Sequence, residues 1–211
     1  VREASNSLRQ NRYPDKVIRV LGIHERLTTY PPKNGRFYTV AIDGRGGSGK
    51  TRLAALLSVR LPGFLIINGD DYFEPLQGES AWGEFNEHRF EVDVLDPIQR
   101  GSNHIVYQPY DFEHGALRAR QEEVINQGIC IERCFSLGFP IDWDLKIWVE
   151  TPKEVCLSRG IARELMPRDR VIAVWEQVWQ PREDQYIETI RPTELADQVI
   201  DGTRPFEDQI L

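Results

Sequence analysis

Phe37-Tyr38-Thr39-Val40-Ala41-Ile42-Asp43-Gly44-Arg45-Gly46-Gly47-Ser48-Gly49-Lys50-Thr51 runs from an apolar, strand-forming stretch straight into Gly-x-x-x-x-Gly-Lys-Thr, and a helix-forming run from Arg52 to Arg60 follows. That order of strand, glycine-rich loop and helix is the context in which the spacing binds phosphate. A chain that wraps a polyphosphate turns several backbone N–H groups inward, which demands unusual φ/ψ angles. Gly44, Gly46, Gly47 and Gly49 supply that freedom, with Ser48 between them, and the next helix adds the partial positive charge of its N-terminus. Lys50 is placed to reach the β- and γ-phosphates, and the Thr51 hydroxyl to ligate Mg²⁺.

The 211 residues suffice for one α/β domain with a sizeable core. A net charge of −7 argues against a general nucleic-acid binder. No apolar stretch reaches membrane-spanning length, and no apolar leader core stands near the start. Cys130, Cys134 and Cys156 contain no Cys-x-x-Cys. If Cys130 and Cys134 share a strand they stand roughly 13 Å apart, too far for a disulfide. Reduced, buried thiols fit a cytoplasmic protein.

Residues 1–36 read as a prefix. Val17, Ile18, Val20, Leu21, Ile23 and Leu27 recur at helical spacing, and Tyr30-Pro31-Pro32-Lys33-Asn34-Gly35 ends the helix. This prefix is expected to cover the sheet or an oligomer surface. Residues 37–211 form the main domain. Strands are expected at residues 37–42, 63–68, 129–135, 145–150 and 198–200. Helices are expected at 115–127, after Thr151-Pro152 as cap and first helical residue, and at 171–190, with Trp175 and Trp179 on one face. Alternating strands and helices predict a three-layer α/β fold with a parallel sheet.

After the second strand comes Asn68-Gly69-Asp70-Asp71-Tyr72-Phe73. Ligands of open parallel sheets sit beyond the carboxyl ends of the strands, so these two carboxylates reach the phosphate-loop face. One of them is suited to take the proton of an attacking hydroxyl.

In these elements the chain resembles the uridine kinase/phosphoribulokinase family of phosphate-loop kinases. Ile42-Asp43-Gly44 through Thr51 matches the family's opening, and Asp70-Asp71-Tyr72-Phe73 resembles its acidic element, whose first Asp is the proposed base. Trp82-Gly83-Glu84-Phe85-Asn86 to Arg89-Phe90, with Val94-Leu95-Asp96-Pro97, resembles its acceptor-side segment, and Tyr110-Asp111-Phe112 its acceptor-lining motif. Ile131-Glu132 falls at its Mg²⁺-assisting Glu. Arg159-Gly160-Ile161-Ala162-Arg163-Glu164 resembles its arginine-bearing lid, here about residues 159–170, in which Arg168 and Arg170 follow. The likeness covers about residues 37–202.

The resemblance implies transfer of the γ-phosphoryl of ATP, with Mg²⁺, to a small-molecule hydroxyl, with neither nucleic acid nor membrane as partner. Asp70 is the expected base, with Asp71 as stand-in. Lys50 and the loop amides hold phosphate, Thr51 and Glu132 hold the metal, and Arg159 and Arg163 offset developing charge. Asp71, Tyr72, Asn86, Arg89, Tyr110, Asp111 and Phe112 are expected around the acceptor, in an aromatic-rich segment (69–114) whose rings either pack the loop or stack on a base. A nucleoside such as uridine or cytidine leads as acceptor. A vitamin precursor such as pantothenate, a sugar phosphate or an antibiotic is the rival, and a nucleotide-binding regulatory module is a more distant one. Two departures stand out: Arg133 where the family has Gly, bringing bulk and charge near the nucleotide, either as an extra phosphate contact or pointing away, and Asn86 where its nucleoside kinases place the Asp that holds ribose hydroxyls.

Overall fold

The computed structural model describes residues 22–74, 84–163 and 168–210. The calls on Val17, Ile18, Val20, Leu21, Trp82, Gly83 and Glu164 lie outside them. Helix α1 (Ile23–Thr29) leads to strand β1 (Tyr38–Gly44), helix α2 (Lys50–Arg60) and β2 (Phe64–Asn68). Short strands β3 (Phe73–Glu74) and β4 (Glu84–Phe85) pair with each other, and α3 follows as one helical run over residues 87–99 with a π turn at Glu91–Leu95. Then come β5 (His104–Tyr107), β6 (Tyr110–Asp111), β7 (Ala116–Leu117), β8 (Gln121–Val124), β9 (Gly128–Glu132), β10 (Leu145–Glu150) and α4 (Lys153–Arg163). Helix α5 spans residues 168–190 with a π turn at Trp175–Trp179; α6 (Pro192–Leu195) and β11 (Gln198–Asp201) close the fold.

The main sheet has the order β11-β10-β1-β9-β2, parallel throughout. The chain reverses direction across the sheet at β1, so the crevice beyond its carboxyl end is the topological switch point, and the glycine loop occupies it. Side chains alternate across the sheet. Val40 and Ile42 join Leu53, Leu57, Leu145 and Ile147 on one face. Ala41, Ile129 and Ile131 join Phe90, Val94 and Ile105 on the other. Each fully buried aliphatic side chain of these two cores stabilises by about 1.5–3 kcal/mol. Ile23 and Leu27 of α1 are buried in the first core, so the described end of the prefix packs on the same sheet.

Several elements differ from the sequence reading. Residues 115–127 form β7 and β8 rather than a helix. The run from Gly115 has helix-forming residues, but β8 pairs antiparallel with β5, burial alternates along Gln121–Val124, and Ile125 ends in the second core. Tertiary pairing here overrides local propensity. Strand β9 stops at Glu132, leaving Cys134 in the turn beyond it; all three cysteines are free. The Pro152 carbonyl, not the Thr151 side chain, accepts from the first turn of α4 through Val155 and Cys156. The Thr151 hydroxyl instead donates to the Ser48 carbonyl, tying α4 to the loop.

Candidate active site

The glycine loop closes as its spelling requires. Gly47 and Gly49 stand at φ +75° and +106°, and a Cβ on Gly47 would lie 2.4 Å from the Cys156 carbonyl oxygen. Only glycine fits such a left-handed position without strain. Gly49 caps α2, and its carbonyl accepts from the Leu53 N–H. The Lys50 ammonium donates to the Gly44 carbonyl at 3.0 Å, the Arg45 carbonyl at 2.9 Å and Cys134 Sγ at 3.3 Å. Burial works against its charge, yet Cys134, Glu132 and Asp43 outweigh it and hold Lys50 above the usual lysine range.

Thr51 Oγ1 donates to Glu132 Oε2 at 3.2 Å. Burial raises the Glu132 carboxyl, opposed first by Lys50, and the charge of Asp70 raises it further. A buried carboxylate beside a threonine hydroxyl, short of compensating charge, is a donor set that suits Mg²⁺. The sheet register pairs Asn68 with Glu132, which sets the segment after β2 alongside this carboxylate. Asn68 Oδ1 accepts from the Asp70 N–H at 2.9 Å and caps the tight turn Gly69–Tyr72.

The two aspartates of that turn part company. Asp70 is exposed and its charge is felt by Glu132. Asp71 is half-buried and feels Arg118 and Arg89. Burial, then the Asp70 charge, push Asp71 up to about 6. Tyr72 is fully buried among Phe85, Phe90 and Tyr107 and lies beneath the acceptor segment.

Arg89 binds the segment together. Its guanidinium donates to the carbonyls of Asp71 and Gln108 and lies over the Tyr72 ring. Asn86 caps α3 by accepting from the Arg89 N–H at 2.8 Å, and its Nδ2 donates to Glu74 Oε2 at 2.6 Å. An Asp could accept from Arg89 but could not donate to Glu74. Tyr110 and Phe112 pack with Phe73, ring centroids 5.0–5.3 Å apart. Desolvation works against Asp111, yet bonds from His114 and Glu113 and the Arg118 charge hold it at about 2.

Arg159 donates to the carbonyl of Gly202 at 3.0 Å and to that of Ser48 at 3.4 Å, on the flank of the loop. Arg163 ends α4 and its charge bears on Glu132. Arg168 and Arg170 open α5.

Three features escaped the sequence reading. Asp43 is fully buried and accepts from the N–H groups of Gly44, Phe135 and Leu137 and from the Tyr186 hydroxyl. A charge inside an otherwise apolar strand was the available signal. Glu183 of α5 accepts from the Gly46 N–H at 2.7 Å, and Asp184 pairs with Arg45 at 2.6 Å. Trp175 fills the gap between the loop and α4: a Cβ on Gly160 would meet its ring at 2.1 Å, and one on Gly46 at 2.8 Å. Nothing in the spacing of α5 marks these contacts.

Arg133 stacks on the aromatic rings of the acceptor side. Its guanidinium carbon lies 3.3 Å from the Phe85 ring centroid and 4.9 Å from that of Phe139. With Glu74, Glu84, Asn86 and Phe135 it lines a cleft of about 670 Å³ on the acceptor side.

The chain is 30% identical to the uridine kinase of Borrelia turicatae over 76% of its length and 84% of that protein. It is 27% identical to the uridine kinase of Saccharomyces cerevisiae over 94% of its length, but spans only 43% of the yeast protein. No family model matches it. Among solved structures, a possible uridine kinase from Bacillus stearothermophilus superposes with a TM-score of 0.58 at 20% identity, covering 83% of this chain and 97% of that one. A putative fructose transport system kinase from Silicibacter gives 0.54 at 18%, over 82% and 94%. The likeness to the two structures carries the fold, an α/β phosphate-loop fold, and the sequence likeness to the Borrelia protein carries the kinship: this chain belongs to the uridine kinase-like family of phosphate-loop kinases.

Proposed function

We propose that the protein phosphorylates a nucleoside hydroxyl at the expense of ATP. The observation that carries this reading is the meeting of Thr51 and Glu132 beside Lys50, with Asp70 brought alongside by the β2–β9 register. Loop amides and Lys50 bind the β- and γ-phosphates. Thr51 and Glu132 would hold Mg²⁺, which when bound draws charge off the phosphate oxygens. Asp70 takes the proton of the acceptor hydroxyl as its oxygen bonds to the γ-phosphorus; the bond to the β–γ bridging oxygen breaks and ADP leaves. Arg163 and Arg159 offset charge on the transferring group from the lid side. Phe73, Tyr110 and Phe112 form an aromatic wall for the acceptor. A regulatory nucleotide binder has no use for Asp70. The test is ADP formation with a panel of nucleosides, pantothenate and sugar phosphates. Turnover that needs uridine or cytidine supports the reading, and ADP release indifferent to any acceptor overturns it.

The aspartate pair gives a pH prediction. As pH falls through about 6, Asp71 gains a proton, and the carboxylate pair beside the proposed acceptor loses one of its negative charges. kcat/KM should fall across that range, and Asp71→Asn should flatten the fall. Stability moves the other way. A carboxyl raised in the folded state holds its proton there more tightly than in the unfolded chain, so wild type gains from Asp71 at low pH and loses that gain as pH rises from about 4 to about 6. Urea melts at several pH values should show this slope weakened in Asp71→Asn.

A further inference from the structure

Arg133 is a cation of the cleft whose role the kinase reading leaves open. Its backbone N–H donates to the Ile42 carbonyl at 3.2 Å, which fixes the residue at the carboxyl end of the sheet, between Glu132 and Cys134. Its stem crosses the Asp70 turn at Gly69, where an added Cβ would lie 2.2 Å from Arg133 Cβ. Gly69 thus gives the arginine its passage to the acceptor side. A guanidinium carbon 3.3 Å from a ring centroid lies flat on that ring, so the N–H groups point edgewise, in the plane of the stack. Among the described residues no hydrogen bond or ion pair takes these N–H groups, and none of the Arg133 nitrogens is sealed from solvent. They open on the cleft that the residue lines. Burial lowers Arg133 to about 10, offset in part by Cys134, Asp43 and Glu87, so it stays charged at neutral pH.

The other charges narrow what this edge receives. Among the described residues, Glu74, Glu84 and Glu87 line the same cleft against one further cation, Arg182, which pairs with Glu84 at 2.9 Å. An anionic acceptor would meet more carboxylates than guanidiniums. A neutral ring carrying carbonyl oxygens meets two donors in a plane and, in Phe135, apolar surface for its face. Building on the nucleoside kinase reading, we propose that Arg133 is a specificity-determining residue whose planar N–H edge binds the carbonyl edge of the acceptor's base, so that the preferred acceptors are nucleosides with a carbonyl-bearing ring.

The test compares uridine with a riboside whose base is replaced by phenyl, which lacks both carbonyls, in wild type, Arg133→Met and Arg133→Lys. Charge-assisted bonds of this kind are expected to make wild type favour uridine by about 10- to 100-fold in kcat/KM. Arg133→Met should raise the uridine KM by a similar factor, leave the ATP KM within about twofold, and abolish the preference. Arg133→Lys, with its charge but without the planar fork, should recover little of it. The preference is a ratio within each variant, so partial loss of folded protein does not mimic the effect, and Arg133→Lys carries the test if the Met variant fails to fold. An unchanged ratio in either folded variant overturns the inference while leaving the kinase reading intact. Wild type that turns over no nucleoside overturns the kinase reading itself. Arg133-dependent turnover of a phosphorylated or carboxylated acceptor instead would overturn the base-edge assignment and replace it with an anion.

Discussion

Replacing Asp70 with Asn is expected to lower kcat by about 10²- to 10⁴-fold, the usual worth of a positioned general base, while the affinity for ATP stays within a few-fold of wild type. The asymmetry follows from placement. Asp70 stands on a capped turn after β2, whereas the groups proposed to hold phosphate belong to the loop after β1, and they share no hydrogen bond with it. The turn survives the substitution, because its cap is the bond from the Asp70 backbone N–H to Asn68 Oδ1, which no side chain at position 70 alters. The side chain is exposed, so the amide costs little stability. Acceptor-dependent turnover and nucleotide binding by calorimetry make the comparison. Equal loss of both would assign Asp70 to structure. Wild-type turnover would move the base to Asp71, whose carboxyl at about 6 is also suited to the task.

The fold was legible where one physical demand dominates. A polyphosphate-wrapping loop needs glycine at defined positions, and central strands buried on both faces need unbroken apolar runs, so β1, β10 and the loop between β1 and α2 stood in the sequence nearly to the residue. β7 and β8 did not, because Gln121, Glu122 and Glu123 take either conformation, and only the pairing of β8 with β5 and of β7 with β6 decides. Of the site, Thr51 and Glu132 were legible as separate signals, each at the end of its own motif, and the structure joins them at 3.2 Å. The helix α5 contacts were illegible for the opposite reason. Glu183, Asp184 and Tyr186 look like an ordinary polar helix surface, and what they touch, the loop and Asp43, lies about 140 residues away in the chain. Arg133 could be seen only as a departure. Its direction depends on Gly69, a residue with no side chain to advertise its purpose.

Asp43→Ala should destabilise the protein by about 3–5 kcal/mol, because one fully buried carboxylate serves three elements at once. Oδ1 accepts from the N–H groups of Gly44 at 2.6 Å and Phe135 at 2.9 Å; Oδ2 accepts from the Leu137 N–H at 3.0 Å and the Tyr186 hydroxyl at 2.6 Å. Alanine leaves four donors without an acceptor at the junction of β1, the turn after β9 and α5. The cost falls where the phosphate loop begins, so lost stability and weakened ATP binding should appear together. Asp43→Asn keeps the shape and one carbonyl oxygen, and the Tyr186 hydroxyl can rotate to accept from the new amide, but the Leu137 N–H then faces another N–H. It should cost about half as much. Tyr186→Phe removes one donor and one bond and should cost about 1 kcal/mol. The double substitution Asp43→Ala with Tyr186→Phe should cost less than the sum, since the hydroxyl that alanine would orphan is gone. For a chain of this length each kcal/mol moves Tm by about 2–4 °C, so Asp43→Ala should melt roughly 6–20 °C below wild type. Urea and thermal melts of the four proteins settle the matter. Strict additivity would mean that Asp43 and Tyr186 act on separate parts of the fold, and a mild Asp43→Ala would mean that the three backbone donors find other partners.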